Sequence, residues 1–252
     1  MNNKKNLIIL LSLVVVVGII LSFYFLMNKK GQNVQKNSDV DFSGVLMVDE
    51  KGTTTFNNKN LKDSLSLLDE ATISDLEKAG LTYMREEEKL AHDVYTVLFQ
   101  KFSQVTFDNI AKSELTHTDA VKSLLDRYNL EDPSLDKKVG EFVNVDLKKM
   151  YVDLLNKGTK TIKDALEVGA AIEEIDILDL QERLAQTDNE DIQVVYENLM
   201  RGSRNHLRAF TKNYKNLTGQ DYVSQYLSKS DYDAIVGADI ERGGVGAGRG
   251  KK

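Results

Sequence analysis

The sequence predicts an all-α fold in which four long helices form two antiparallel hairpins. Three observations carry that reading. The 252-residue chain has one proline and no tryptophan and is rich in Leu, Lys, Glu and Asp, so little in it interrupts a helix. Four long segments repeat apolar residues at alternating steps of three and four, the spacing of one buried helical face. The links between these segments run short, long, short, which joins two hairpins by a crossover.

The elements follow in order. Leu7–Met27 (LIILLSLVVVVGIILSFYFLM) is uncharged, with Lys4 and Lys5 before it and Lys29 and Lys30 after it. At about 1.5 Å per residue the run is long enough for a hydrocarbon core of roughly 30 Å. Its exit, SFYFLMNKK, is a poor cleavage site, so an N-terminal transmembrane anchor is expected, with a cleaved signal peptide as the alternative. Lysines on both flanks nearly balance the positive-inside rule, but the short tail ahead of the anchor favours a soluble domain outside the cytoplasm. The expected layout is an anchor over 1–30, a polar tether over 31–67 with a brief extended patch at Gly44–Val48, a helical bundle over 68–227 and a flexible Gly-rich basic tail over 228–252.

Helix one starts near Ser74, where Ser74-x-x-Glu77 fits a capping box, and runs to about Phe102, with Gly80 as a point of kinking. Its stripe is Leu81, Met84, Glu88, Ala91, Tyr95, Leu98 and Phe102. Helix two covers about Asp108–Tyr128, with the stripe Ile110, Glu114, His117, Val121, Leu124 and Tyr128. A short amphipathic helix at about Asp146–Asn156 interrupts the crossover. Helix three runs from Thr161 to about Ala185, with Leu166, Gly169, Glu173, Asp176 or Ile177, Leu180 and Leu184 inward. Helix four begins after Asp188, with Glu190 and Asp191 in its first turn, and ends before Gly219. Leu199, Ser203, His206, Phe210 and Leu217 face inward on it. A last small helix is expected over Asp221–Leu227.

Each stripe therefore sends a polar group inward near its middle. A buried lone carboxylate costs several kcal/mol unless it is paired, neutralised or bound to a cation. Glu88, Glu114, Glu173 and Asp176 converge with His117 and His206, and only Arg201 and Arg204, flanking a stripe, could reach in to neutralise them. Two divalent cations would balance the four carboxylates. The donor set suits iron or manganese and admits zinc. Tyr95 and Ser203 stand beside the ligands, each with an ordinary packing role as the alternative. Glu86, Glu87 and Glu174 read as a solvated face, and His92 as exposed.

Composition removes other chemistries. With no cysteine, disulfides, iron–sulfur clusters and thiolate zinc sites are excluded. A formal charge of −6 leaves no nucleic-acid footprint. The expected partners are metal ions and, through residues 7–27, a membrane, with a homodimer left open.

The pattern Glu88-x-x-Ala91-x-x-x-Tyr95, Glu114-x-x-His117 and Glu173-x-x-Asp176 resembles the rubrerythrin-like branch of the ferritin-like superfamily. The wider wording, MREEEKLAHDVY, VGAAIEEIDILDL and GSRNHLRAF, resembles a family of bacterial and archaeal ferritin-like domains with no assigned function. The resemblance implies a ferritin-like four-helix bundle with a dinuclear centre in its core. Glu88 and Glu173 would be terminal or bridging carboxylates, Glu114 a bridge, His117 and His206 nitrogen ligands, and Asp176 a shorter acid at a ligand position. Ser203 departs from the pattern, standing where a second Glu-x-x-His would place its Glu. That predicts an asymmetric site, better formed around His117 than around His206. The expected function is a membrane-tethered oxidoreductase acting on peroxide, oxygen or ferrous iron. The alternative is a cell-surface metal-binding or structural module without turnover.

Overall fold

Residues 40–50 and 52–242 are described by a computed structural model. Two short strands come first, β1 (Leu46–Val48) and β2 (Thr54–Phe56), followed by α1 (Asn58–Leu65). The long helices are α2 (Asp75–Phe102), α3 (Val105–Arg127), α5 (Ile162–Ala185) and α6 (Glu190–Thr218). Between them lies the crossover helix α4 (Val145–Gly158), and after them α7 (Lys229–Val236).

Local chemistry sets these boundaries. Ser74 and Glu77 form the reciprocal capping box that starts α2, and α2 runs through Gly80 without a break. Thr161 caps α5 by accepting from the Asp164 amide. Gly219 ends α6 in the left-handed region, at φ 73°, where glycine lacks the usual steric cost.

α2 pairs with α3 and α5 with α6, as two hairpins. Lateral contacts then join α2 to α5 and α3 to α6, and α4 packs on α2 and α5. The apolar core falls into two clusters. One holds Leu81, Met84, Val121, Leu124, Leu180, Val195 and Leu199. The other holds Leu90, Val94, Tyr95, Phe107, Leu166, Phe210 and neighbours. The polar residues of the four stripes lie between these layers.

Several expectations need correction. The fold is mostly helical but not all-α. β1 and β2 pair antiparallel, Leu46 opposite Phe56 and Val48 opposite Thr54, inside the stretch expected to be a polar tether, with β1 within the extended patch expected at Gly44–Val48. Gly52 turns the connection at φ 87°, and Asp49 accepts the Thr53 amide across it. The hairpin then folds onto α3 and α6. No helix among the described residues is long and apolar enough to cross a membrane. Leu7–Met27, on which the transmembrane helix and the extracytoplasmic placement rested, lies outside the described residues. The expected transmembrane helix is therefore not part of the described fold.

The C-terminal part is also tied down further than expected. Asp221–Leu227 is not a helix, because the amides of Gln225, Tyr226 and Leu227 donate to the Glu174 carboxylate instead of to one another. The helix falls later, at α7, capped by Ser228. Glu241, in the expected flexible tail, pairs with Arg204 at 2.5 Å and Arg208 at 2.9 Å.

Candidate metal centre

Glu114 stands at the middle of the polar layer. Its Oε2 lies 2.8 Å from His117 Nδ1 and its Oε1 lies 2.8 Å from His206 Nδ1. One carboxylate on α3 thus faces an imidazole one turn along its own helix and another on α6. The two rings are nearly parallel, with centroids 5.4 Å apart. Glu88 of α2 approaches the His117 side, Oε2 to Nδ1 3.5 Å, and Glu173 of α5 the His206 side, 3.7 Å. Asp176, one turn beyond Glu173, accepts a hydrogen bond from the Ser203 hydroxyl. All of these side chains are buried.

The far nitrogens of both rings are fixed. Nε2–H of His117 donates to the Thr54 carbonyl at 2.9 Å. The Ser113 hydroxyl also donates to that carbonyl, so its oxygen is left to accept from His206 Nε2–H at 3.0 Å. One carbonyl of β2 therefore sets the tautomer of both imidazoles, turning both Nδ1 atoms toward Glu114. Phe56 packs edge-on against the His117 ring, centroids 5.5 Å apart. Gly202 lies against the same ring: a Cβ there would stand 2.6 Å from His117 Cε1. On the other side, Tyr95 donates to Glu173 Oε1 at 2.6 Å and to the Gly169 carbonyl at 3.3 Å.

Electrostatics describe the same cluster without an ion. Burial works to raise Glu114, but the two imidazoles outweigh it and hold that carboxyl well below the usual range. Burial opposes charge on the imidazoles, yet Glu114 lifts His117 well above its ordinary value, and Glu114 with Glu173 lifts His206 to about 9. Burial raises Glu88 to about 7, against the pull of His117. Burial raises Glu173 and Asp176 too, with like charges adding to it.

The residues fit a metal ion on two observations. Ligand atoms of Glu114, His117 and His206 all lie within 4.8 Å of one another. Glu114 Oε1, His117 Nδ1 and His206 Nδ1 are buried and, despite their closeness, make no hydrogen bond of acceptable geometry; Glu88 Oε1 and Asp176 Oδ1 are likewise unpartnered. Buried, unsatisfied ligand atoms this close together are what a cation would bind. This buried carboxylate/histidine cluster can therefore hold a metal ion.

The layout corrects several readings of individual residues. Glu114 lies equally close to both histidines, and on the His206 side position 203 supplies no carboxylate, its hydroxyl donating to Asp176 instead. Glu86 and Glu174 do not form a solvated face. Glu86 accepts the Val143 and Asn144 amides ahead of α4, and Glu174 is fully buried under Tyr222 and the 225–227 amides. Glu87 is buried as well, with neither carboxylate oxygen hydrogen-bonded. His92 is half-buried and donates to the Ala111 carbonyl at 2.8 Å, away from the centre. Arg204 is engaged by Glu241 and Arg201 by Asn198, so neither neutralises the cluster. Thr54, Ser113 and Gly202 were not among the expected site residues. The one sequence signal for Thr54 was the β-branched run Thr53–Thr55 after Gly52, a strand start.

Comparison with known proteins agrees in extent with this domain. Residues 77–239 match the family model described as "Uncharacterized protein domain (DUF2202)". A relative from Methanocaldococcus jannaschii, uncharacterized protein MJ0754, is 51% identical over 179 residues, covering 71% of this chain and 96% of its own. The crystal structure of that hypothetical protein superposes with a TM-score of 0.67 at 50% identity, over 69% of this chain and 99% of the other.

Proposed function

We propose that this chain, which belongs to the DUF2202 domain family, is a metal-dependent oxidoreductase of the ferritin-like, rubrerythrin-like kind. The reading is that it acts on peroxide, oxygen or ferrous iron. The observation that carries the proposal is the bridging stance of Glu114, with each oxygen 2.8 Å from a histidine nitrogen on a different helix. A carboxylate so placed serves two cations at once.

In this reading His117, Glu114 Oε2 and Glu88 would hold one iron or manganese ion. His206, Glu114 Oε1 and Glu173 would hold the other. Asp176 would supply the remaining carboxylate. Bound there, the ions would supply one-electron redox chemistry toward O–O bonds or ferrous iron. The protein's own part is positional and acid–base. Thr54 and Ser113 keep both Nδ1 atoms inward. Tyr95 steadies Glu173, and Ser203 steadies Asp176. Reduction of an O–O bond consumes protons, and Glu88, raised to about 7 by burial, is a carboxyl able to exchange one near neutral pH. The apolar layers above and below keep bulk water out.

The test is anaerobic loading of the full chain with ferrous iron, elemental analysis, and then oxygen and peroxide consumption beside Glu114→Ala. The expected result is bound iron and consumption faster than in that variant. Iron bound without consumption would leave a metal-binding module and end the oxidoreductase reading. No iron or manganese bound would end the metal reading itself.

A further inference from the structure

His117 and His206 have no exposed surface, so nothing from solvent reaches them unless part of the fold moves. Two elements cover the bundle beside the centre. α4 packs on α2 and α5, and the strand pair packs on α3 and α6, with the Thr54 carbonyl bound to His117 and Ser113. The strand pair is the weaker cover. It has two strands of three residues each, and a lone two-stranded hairpin is marginal in water. Elements of low local stability are the ones that open. What holds this pair down therefore decides how often the histidines are reached.

On α3 the pair is held by the helix itself, where the Thr116 hydroxyl accepts the Phe56 amide at 2.9 Å. On α6 the hold runs through Asn205, whose Nδ2 donates to the Thr54 hydroxyl at 3.0 Å. The rest of that side chain is spent on the C-terminal segment. Nδ2 also donates to the Glu241 carbonyl at 3.0 Å. Oδ1 accepts the Glu241 amide at 2.9 Å and Arg208 Nη1 at 2.8 Å. A carboxamide offers two N–H donors and two lone pairs, and in this buried residue all four join strand, helix and C-terminal segment.

The segment is built as a strap. Residues 237–239 are exposed after α7, and Ile240 and Glu241 are half-buried. Ile240 lies over the turn of the strand pair: a Cβ at Gly52 would stand 3.7 Å from its Cδ1. The Glu241 carboxylate closes on Arg204, 2.7 Å from Nε and 2.5 Å from Nη2, and on Arg208, 2.9 Å from Nη2. A guanidinium presents its donors as a fork, so this grip fixes where the strap lies. The grip is also partly in water, so it can let go without stranding a buried charge.

We propose that residues 237–241 are a latch. Docked, the strap holds the strand pair shut over the histidines, and its release sets the rate at which the centre exchanges with solvent. That the exchanging species is a metal ion rests on the reading of the centre given above. Among the described residues no hydrogen bond or ion pair joins Glu241 to the centre, so the latch alters access and leaves the ligands in place.

The test uses the full chain and two partly exposed positions, Glu241→Gln and Ile240→Ala. In metal-free protein, hydrogen exchange at the strand-pair amides should quicken roughly five- to thirtyfold in both, with α4 unchanged. With Mn²⁺ alone, stopped-flow binding and release into EDTA should quicken by similar factors, leaving Kd within about twofold of the wild type. Damage to the ligands would instead speed release alone and weaken Kd. Asp93→Asn loosens the crossover on the other side, where Asp93 holds Lys89 and the Gly140 amide, and should leave Mn²⁺ exchange at the wild-type rate. Strand-pair amides that exchange equally in the wild type and both variants would overturn the latch. So would faster release without faster binding, or faster Mn²⁺ exchange in Asp93→Asn alone, which would put the entrance beside α4. A wild-type chain that takes up no Mn²⁺ would overturn the function proposed above, and the hydrogen-exchange arm would still decide the latch.

Discussion

Replacing Gly202 by alanine puts the histidine geometry to a direct test. The added Cβ would stand 2.6 Å from His117 Cε1 and 3.0 Å from its Nε2. Real Cβ atoms essentially never come under 3.0 Å and sit in ordinary contact from 3.4 Å, so the ring must retreat by about 0.4–0.8 Å, beyond the ~0.2 Å tolerance of a metal–ligand distance. The ring cannot retreat freely. Its Nε2 is bound to Thr54 at 2.9 Å, and Phe56 packs against it edge-on. Two stability effects oppose each other: alanine gains about 1 kcal/mol of helix preference, and overpacking costs about 1–3 kcal/mol. The metal-free protein should therefore lose no more than about 2 kcal/mol. Metal affinity should fall far more visibly, by roughly ten- to a hundredfold, the usual effect of disturbing a ligand's support. Equilibrium dialysis against Mn²⁺ reads the affinity and urea unfolding reads the stability. Gly158→Ala is the control, since its Cβ would press at 3.2 Å on Leu98, away from the ligands. A folded Gly202→Ala protein that binds the centre's ions within about twofold of the wild type would refute the placement of His117 as a ligand.

Two further perturbations bear on the same cluster. Glu114→Ala removes the charge between two raised imidazoles; in metal-free protein this should cost about 3–5 kcal/mol by urea unfolding, and metal uptake at the centre should disappear. An unchanged unfolding midpoint in chelator would contradict the buried ion pairs. The pH dependence has a definite sign. Burial disfavours charge on His206, but Glu114 and Glu173 outweigh it and raise it to about 9, and burial raises Glu88 to about 7. Groups raised on folding stabilise fully below their unfolded values and lose that contribution as pH climbs through the folded ones. Metal-free protein should thus weaken between about pH 5 and about pH 9, and bound metal should remove the decline because it replaces the protons. A urea midpoint in chelator that rises over that range would count against these assignments.

Much of the centre was legible because a ligand on a helix obeys the helix's own period. Glu88, Glu114, His117, Glu173, Asp176 and His206 all fall on stripes that the apolar residues define, so burial could be inferred without coordinates. The supporting atoms obey no such period. Thr54 acts through its backbone carbonyl, whose chemistry is the same in every residue. It also comes from a stretch whose Asn, Lys and Thr content reads as solvated linker. Gly202 acts by lacking a side chain. Glu86 and Glu174 sit beside the stripe, where period alone places them toward water; what packs on them is the crossover and the C-terminal segment, elements from outside the four helices. Helix ends with side-chain caps, such as Ser74 and Thr161, were readable, whereas α7 was displaced because Glu174 captures the amides that a helix at Asp221–Leu227 would need.

In the proposed reading, Asp176 would take the place of the carboxylate that Ser203 lacks. A second Glu-x-x-His on α6 would have sent its carboxylate from position 203. Serine there is small, and its hydroxyl instead donates to Asp176 of α5, which is buried in the same layer. The carboxylates are then Glu88, Glu114, Glu173 and Asp176. If all four are ionised, their charges would be matched by two divalent cations with neutral imidazoles. A single ion would leave two uncompensated charges in a buried layer, to be relieved only by protonation. Two ions per chain at the histidine centre is accordingly the expected occupancy, and Ser203→Ala should keep both while weakening one, since a single charge-assisted hydrogen bond of about 1.5–3 kcal/mol is lost. Anomalous scattering counts the ions directly. One ion at the centre of the saturated wild type would mean that Asp176 stays protonated and that Ser203 marks a lost ligand, not a relocated one.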